Sequence, residues 1–123
     1  MAEKLWKKNK TPVRTLRVAH EIRDILSDVI RRYRPYEEGV PDFHVTVTDV
    51  KVSASLQDAV VFVLPIEKDD IDDVLDYLNR HSVYFKTELA HRMKLKFATN
   101  LKFVLDQSFD YADRITELLS KIH

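Results

Sequence analysis

The sequence has no cysteine and only one glycine among its 123 residues. Without cysteine the chain cannot hold a disulfide scaffold, a cysteine nucleophile or a thiolate zinc site, and its composition fits a reducing compartment. A single glycine excludes a glycine-rich phosphate-binding loop. The longest apolar run, at 59–66, is too short to span a bilayer, and the N-terminus lacks the apolar segment of a signal peptide. These absences predict a cytoplasmic protein that does not bind membranes.

Candidate sites for catalysis or metal binding are weak throughout the chain. His81 and Ser82 are neighbours in sequence, and neighbouring residues on a helix point apart. His20 and Asp24 lie four residues apart on a predicted helix, but one histidine and one carboxylate are too few ligands for a metal ion. We therefore expect no catalytic residue, no metal and no cofactor, and we predict that the protein is not an enzyme.

The net charge of zero conceals an uneven distribution of charged residues. Residues 1–36 carry ten basic and four acidic side chains, a sum of +6, and residues 37–79 carry two and eleven, a sum of −9. Residues 80–105 carry six and one, a sum of +5, and residues 106–123 carry two and four, a sum of −2. Such runs are either solvated faces or a basic surface for an anionic partner with an acidic segment on the far side. The charge pattern alone leaves both interpretations open.

Hydrophobic periodicity predicts a helix near the N-terminus followed by two strands. The helix begins at about Thr11, and Pro35 and Gly39 mark the loop after it. Its apolar stripe consists of Leu16, Ala19, Ile22, Leu26, Val29, Ile30 and Tyr33. The strand from Phe43 changes its buried parity between Val47 and Val50, which predicts a bulge or twist near Asp49. After a polar turn at 53–57, the apolar run at 59–64 fits a strand that is buried on both faces or paired on both edges.

Residues 72–106 contain the sequence pattern that most strongly indicates a fold. Helical spacing extends to about Arg92, polar residues interrupt it at 79–82, and strand alternation follows at 101–105. A helix, a break, a second helix and a strand form the half-motif of a KH-like RNA-binding domain. We predict a basic flexible arm at 1–10, a KH-like domain at 11–106 and a C-terminal helical tail at 107–123.

Basic side chains surround the predicted break and suggest contacts with RNA phosphates. Clustered cations favour such binding because neutralised phosphates release their counterions. The alternative is that Lys94 and Lys96 protect a hydrophobic strand from aggregation. The candidate RNA-binding residues are Arg14, Arg17, Arg80, Lys86, His91, Arg92, Lys94 and Lys96.

Several segments resemble a known family when their order and spacing are taken together. The segments are RTLRV at 14–18, VTVTDV at 45–50, LNR at 78–80, EL at 88–89, RMKL at 92–95, LKFVLD at 101–106 and ITELL at 115–119. Over positions 10 to 119 the chain resembles the ribosome-binding factor A family of bacterial small-subunit maturation factors. No single segment is diagnostic, and the resemblance rests on the whole set.

This resemblance implies an α+β fold of the type II KH-like class, with topology αββααβ and a mixed three-stranded sheet that has its helices on one face. Family members bind the immature small ribosomal subunit, contact its rRNA near the decoding region and assist late maturation, notably in the cold. They replace the GxxG loop with a helix kinked at an Ala-x-Gly sequence. Here the kink falls at His81, Ser82 and Val83 without a glycine, so we expect a milder kink or one that uses Ser82.

Two functions from different classes follow from these observations. The resemblance favours a monomeric, non-catalytic ribosome maturation factor whose partners are the small ribosomal subunit and its rRNA. The alternative is a protein–protein adaptor that uses the acidic segment 67–76 and the C-terminal helix. On charge pattern alone the two interpretations are close.

Overall fold

The computed structural model describes residues 13–66, 70–94 and 98–107. The helices and strands are α1 (Val13–Arg32), β1 (Val45–Val52), β2 (Asp58–Pro65), α2 (Ile71–Arg80), α3 (Ser82–Met93) and β3 (Asn100–Leu105). This is the predicted α+β class with the predicted KH-like order αββααβ. The basic arm at 1–10, the proposed start of α1 at Thr11 and the tail helix beyond Gln107 lie outside the described residues, so the division into arm, domain and tail stays a prediction.

The three strands form one mixed sheet with β2 at its centre. β1 pairs antiparallel with β2, and β3 pairs parallel with the other edge of β2. Of the two arrangements predicted for the run at 59–64, the structure shows the one in which both edges are paired. Parallel strands need a long crossover, and α2 and α3 supply it between β2 and β3.

The predicted irregularity near Asp49 is a β-bulge at Thr48. Val47 lies opposite Val63 and Asp49 lies opposite Phe62, so Thr48 is an extra residue in β1. Its hydroxyl donates to the Phe62 carbonyl at 3.3 Å and also to the Asp106 carboxylate. The extra residue lets Val47 and Val50 both point into the core, although their positions have opposite parity.

Alternate residues of the sheet and one face of each helix form a single core. Its fully buried side chains of largest volume are Tyr77, Phe85, Phe103, Ile22, Leu26, Leu78 and Leu89. The helices therefore pack against one face of the sheet, as predicted. The other face carries half-buried Val60, Phe62, Leu64 and Val104.

Two members of the stripe predicted for α1 are not buried. Leu16 is 46% exposed, and Thr15 is buried in its place. Thr15 lies four residues before Ala19 and seven before Ile22, which places it on the centre of the buried face. Tyr33 is 49% exposed and lies just beyond Arg32, the last residue of α1.

The turn between β1 and β2 is less polar than predicted, because Leu56 is buried within it. Leu56 has a φ of 65°, and its carbonyl accepts a hydrogen bond from the buried Thr99 hydroxyl at 2.9 Å. The Asn100 amide donates to the Gln57 carbonyl at 2.8 Å. The turn thus fixes the start of β3 beside the start of β2.

Candidate nucleic-acid interface

The predicted kink is a one-residue break between α2 and α3 at His81. His81 has φ −99° and ψ 18°, whereas Ser82 and Val83 already belong to α3. This bridge conformation is accessible to any residue, so the kink forms without the glycine of the family pattern. The break thus falls at His81, the first of the three residues predicted for the kink, and Ser82 does not carry it.

Arg80, a predicted RNA-binding residue, is held by carboxylates on two sides. Its guanidinium donates to Glu37 at 2.6 Å and to Asp76, four residues earlier on α2. The Arg80 hydrogen bond holds the pKa of the Glu37 carboxyl below its usual range, and the same bond raises the pKa of Arg80. His81 Nε2 lies 3.7 Å from Glu37 Oε2. Arg80 thus connects the loop after α1 to the end of α2, with its charge compensated twice.

The loop after α1 is attached to α2 and α3 at two further points. The Tyr77 hydroxyl donates to the Pro35 carbonyl, and burial raises the pKa of this hydroxyl. The Tyr84 hydroxyl donates to the Tyr33 carbonyl. Together with the Arg80 ion pairs, these bonds fix the loop against the kink.

Two other predicted RNA-binding residues also have intramolecular partners. The Arg92 guanidinium lies 3.4 Å from Asp28, 3.5 Å from Glu88 and 4.9 Å from the centre of the Tyr33 ring. The Lys86 ammonium donates to the Asn100 side chain at 2.7 Å. Both side chains therefore help to position α3 against its neighbours.

The remaining predicted RNA-binding residues that fall within the described residues are unpaired there. Arg14, Arg17, His91 and Lys94 are all exposed. No side-chain hydrogen bond or ion pair involves any of the four within the ranges that the structure describes. Lys96 lies outside those ranges. Of the eight predicted RNA-binding residues, three have partners, four have none among the described residues, and one lies outside those residues.

The unpaired basic side chains lie on α1 and at the end of α3, two helices that pack against each other. Tyr84 meets Tyr33 and Arg92 meets Asp28, so α3 runs antiparallel to α1. The last turn of α3, with His91 and Lys94, therefore points towards the half of α1 that carries Arg17 and Arg14. We call these four residues the free cationic surface. Lys51 and Lys102 are also exposed, but they alternate with core residues and lie on the opposite face of the sheet.

The carboxylate partners of Arg80 and Arg92 could not be predicted from the sequence. Glu37 is 43 residues from Arg80, and Asp28 is 64 residues from Arg92. No periodic pattern signals a pair at such separations, so only the fold reveals it. The only indication in the sequence was the acidic block at 37–79, which is followed by the basic block at 80–105, so that ion pairs between the two could be expected.

Within the described part of the chain, no group of three histidine, cysteine, aspartate or glutamate side chains could hold a metal ion. None of the described helices is long and apolar enough to cross a membrane.

A model of the family described as ribosome-binding factor A matches residues 14–119 of the chain. The chain belongs to this family. The ribosome-binding factor A of Beijerinckia indica subsp. indica is 40% identical over 107 residues, which cover 87% of this chain and 76% of the relative. The same factor of Novosphingobium aromaticivorans is 36% identical over 120 residues, which cover 98% and 89% of the two chains.

Solved structures of the family share the fold. The solution NMR structure of a putative ribosome-binding factor A from Thermotoga maritima has a TM-score of 0.61 at 24% identity and covers 78% of this chain and 91% of its own. A Thermus thermophilus ribosome-binding factor A, fitted as a homology model into a cryo-EM map of a 30S complex, has a TM-score of 0.58 at 18% identity and covers 72% and 91%. At these identities the likeness is evidence for the fold alone, and it agrees with the KH-like order described above.

Proposed function

We propose that this protein binds the immature small ribosomal subunit and its rRNA, and assists late rRNA processing and assembly without catalysis. The proposal rests on the free cationic surface, whose four side chains are exposed and have no ion-pair partner among residues 13–66, 70–94 and 98–107. Membership of a family named for ribosome binding supports it. The proposal includes a cytoplasmic monomer, as expected for a small factor that associates with ribosomal subunits, and a role in growth in the cold.

Phosphate contacts are the mechanism that fits this surface. Helical RNA hides its base edges in a deep, narrow major groove, so proteins recognise it by shape and through phosphate and 2′-hydroxyl contacts. Arg14 and Arg17 lie on successive turns of α1, and Lys94 has a positive φ of 54° that ends α3 and leaves its side chain exposed. The domain would hold immature rRNA in one conformation and leave when a mature contact or another factor displaces it.

Reversing charges on the free cationic surface tests the proposal. We expect Arg17→Glu combined with Lys94→Glu to reduce binding to immature small subunits about 10- to 100-fold at low salt, because two phosphate contacts become repulsive. The measurement is co-sedimentation of the purified variant with subunits from an assembly-impaired strain.

The matched control is Lys51→Glu combined with Lys102→Glu, which makes the same charge change on the opposite face of the sheet. We expect this control to bind like the unaltered protein. Equal losses in the two double variants would show that net charge, and not the free cationic surface, governs binding. Binding that survives both changes and nuclease treatment of the subunits would refute the rRNA proposal.

A further inference from the structure

A groove of about 240 Å³ lies between the loop after α1 and α2. Its apolar lining consists of Val40, Pro41, Phe43 and Val74, and its polar lining consists of Asp70, Asp73, Asp76 and Arg80. Gly39, the only glycine in the chain, also lines the groove and has a φ of 84°, a conformation that favours glycine. The groove therefore combines an apolar floor with a charged wall, and it lies beside the kink rather than on the free cationic surface.

The surroundings of this groove are strongly negative. Residues 34–42 and 70–81 carry seven carboxylates against two guanidiniums, which leaves five negative charges. Both guanidiniums are already engaged, since Arg34 pairs with Asp42 and Arg80 pairs with Glu37 and Asp76. An RNA strand would be repelled here, whereas a cationic peptide would be attracted.

Asp73 is the carboxylate in the groove that remains available to a partner. Asp70 caps α2 by accepting from the amides of Asp72 and Asp73, and Asp76 accepts from Arg80. The Asp73 carboxylate has no hydrogen bond or ion pair within the described ranges, and it lines the groove beside Val74. An arginine or lysine of a partner would form an ion pair with the Asp73 carboxylate.

Tyr36 supplies an aromatic face next to the groove. It is 89% exposed, and it lines a neighbouring cavity of about 320 Å³ that shares Val40, Pro41 and Phe43 with the groove. Cations stack on aromatic faces, and Arg34 already lies 4.0 Å from the centre of the Phe43 ring in this part of the domain. A second cation of the same partner could therefore stack on Tyr36.

We infer that this groove binds a basic segment of a protein partner. One arginine or lysine pairs with Asp73, an apolar residue beside it packs on Val40 and Val74, and a second cation stacks on Tyr36. The domain then has two separate binding surfaces, a cationic one for RNA and an acidic groove for a basic protein. This inference goes beyond the rRNA contacts proposed above and does not depend on them.

An NMR titration with a synthetic peptide tests the groove without any ribosomal component. The probe is a capped pentapeptide of alternating arginine and leucine, added to the ¹⁵N-labelled full chain. We expect saturable shifts at the amides of Tyr36, Val40 and Val74. Asp73→Asn should weaken binding about fivefold, because a charged pair is lost. Tyr36→Ala should weaken it similarly, and Tyr36→Phe should retain it because the aromatic face remains.

Asp72→Asn is the matched control. It removes the same charge from the neighbouring residue in the same helical turn, but Asp72 does not line the groove. We expect this variant to bind the peptide like the unaltered chain. Equal weakening by Asp72→Asn and Asp73→Asn would mean diffuse attraction to a negative surface and would overturn the inference. Absence of saturable shifts in the unaltered chain would also overturn it, and neither result bears on binding to subunits.

Discussion

Replacement of Phe85 by alanine is expected to lower the free energy of unfolding by about 3–5 kcal/mol. Phe85 is fully buried on α3 and packs edge-to-face against Phe103 of β3, with ring centres 5.5 Å apart, and against Tyr84 at 5.4 Å. The substitution removes the aromatic contacts and leaves a cavity between α3 and the sheet. Because a domain of this size has a stability of about 5–15 kcal/mol, the loss is a large share of the total. Urea unfolding followed by circular dichroism measures it.

Val83→Ala is the control for Phe85→Ala. Val83 is on the same helix, two residues away, and is 71% exposed. We expect its replacement to change the stability by no more than about 0.5 kcal/mol. If Phe85→Ala were as mild as Val83→Ala, α3 would not pack on the sheet as described, and the position of the kink would be wrong with it.

Replacement of Asn79 by alanine is expected to cost about 2 kcal/mol, although the side chain is near the surface. Asn79 Oδ1 accepts from the Phe103 amide at 2.9 Å, and its Nδ2 donates to the Phe103 carbonyl at 3.0 Å. Both backbone groups belong to β3, an edge strand, and point away from β2. The side chain thus closes the edge of the sheet much as another strand would. The better helix propensity of alanine offsets part of the loss.

Amide exchange gives a second readout for Asn79. The Phe103 amide should exchange faster with solvent in Asn79→Ala than in the unaltered protein, because it loses its only described acceptor. Asn79→Leu preserves the approximate size of the side chain and should be destabilised to a similar degree. Retention of full stability in Asn79→Leu would contradict the account, since the cost would then arise from lost volume and not from hydrogen bonds.

Local patterns predicted those features of the fold that depend on neighbours in sequence. The parity change between Val47 and Val50 predicted the bulge, because a strand that buries one face cannot change parity without an extra residue. The polar interruption at 79–82 predicted the break between two helices, although not that His81 alone would carry it. The apolar run at 59–64 predicted a central strand, and both edges of this strand are paired in the structure.

Local patterns could not predict which basic residues of the candidate site have ion-pair partners and which do not. Arg80 and Arg17 are both arginines of predicted helices. Arg80 forms an ion pair with Glu37, 43 residues away in sequence, whereas Arg17 has no partner among the described residues. Likewise, Lys94 and Lys102 belong to one basic block but lie on different sides of the sheet. Such differences depend on which loop returns to which helix, and hydrophobic spacing carries no information about that. The groove beside Tyr36 depends on the same loop.

In the proposed complex the unpaired basic side chains, and not the compensated Arg80, Lys86 and Arg92, contact the rRNA phosphates. The salt dependence of subunit binding distinguishes the two sets, because each phosphate contact contributes about one to the slope of log affinity against log salt. We predict that Arg14→Gln combined with Arg17→Gln reduces the slope by about 2. Arg80→Gln, at an arginine that two carboxylates already compensate, should leave the slope unchanged. An unchanged slope in the first variant, or a reduction by about one in Arg80→Gln, would contradict the account.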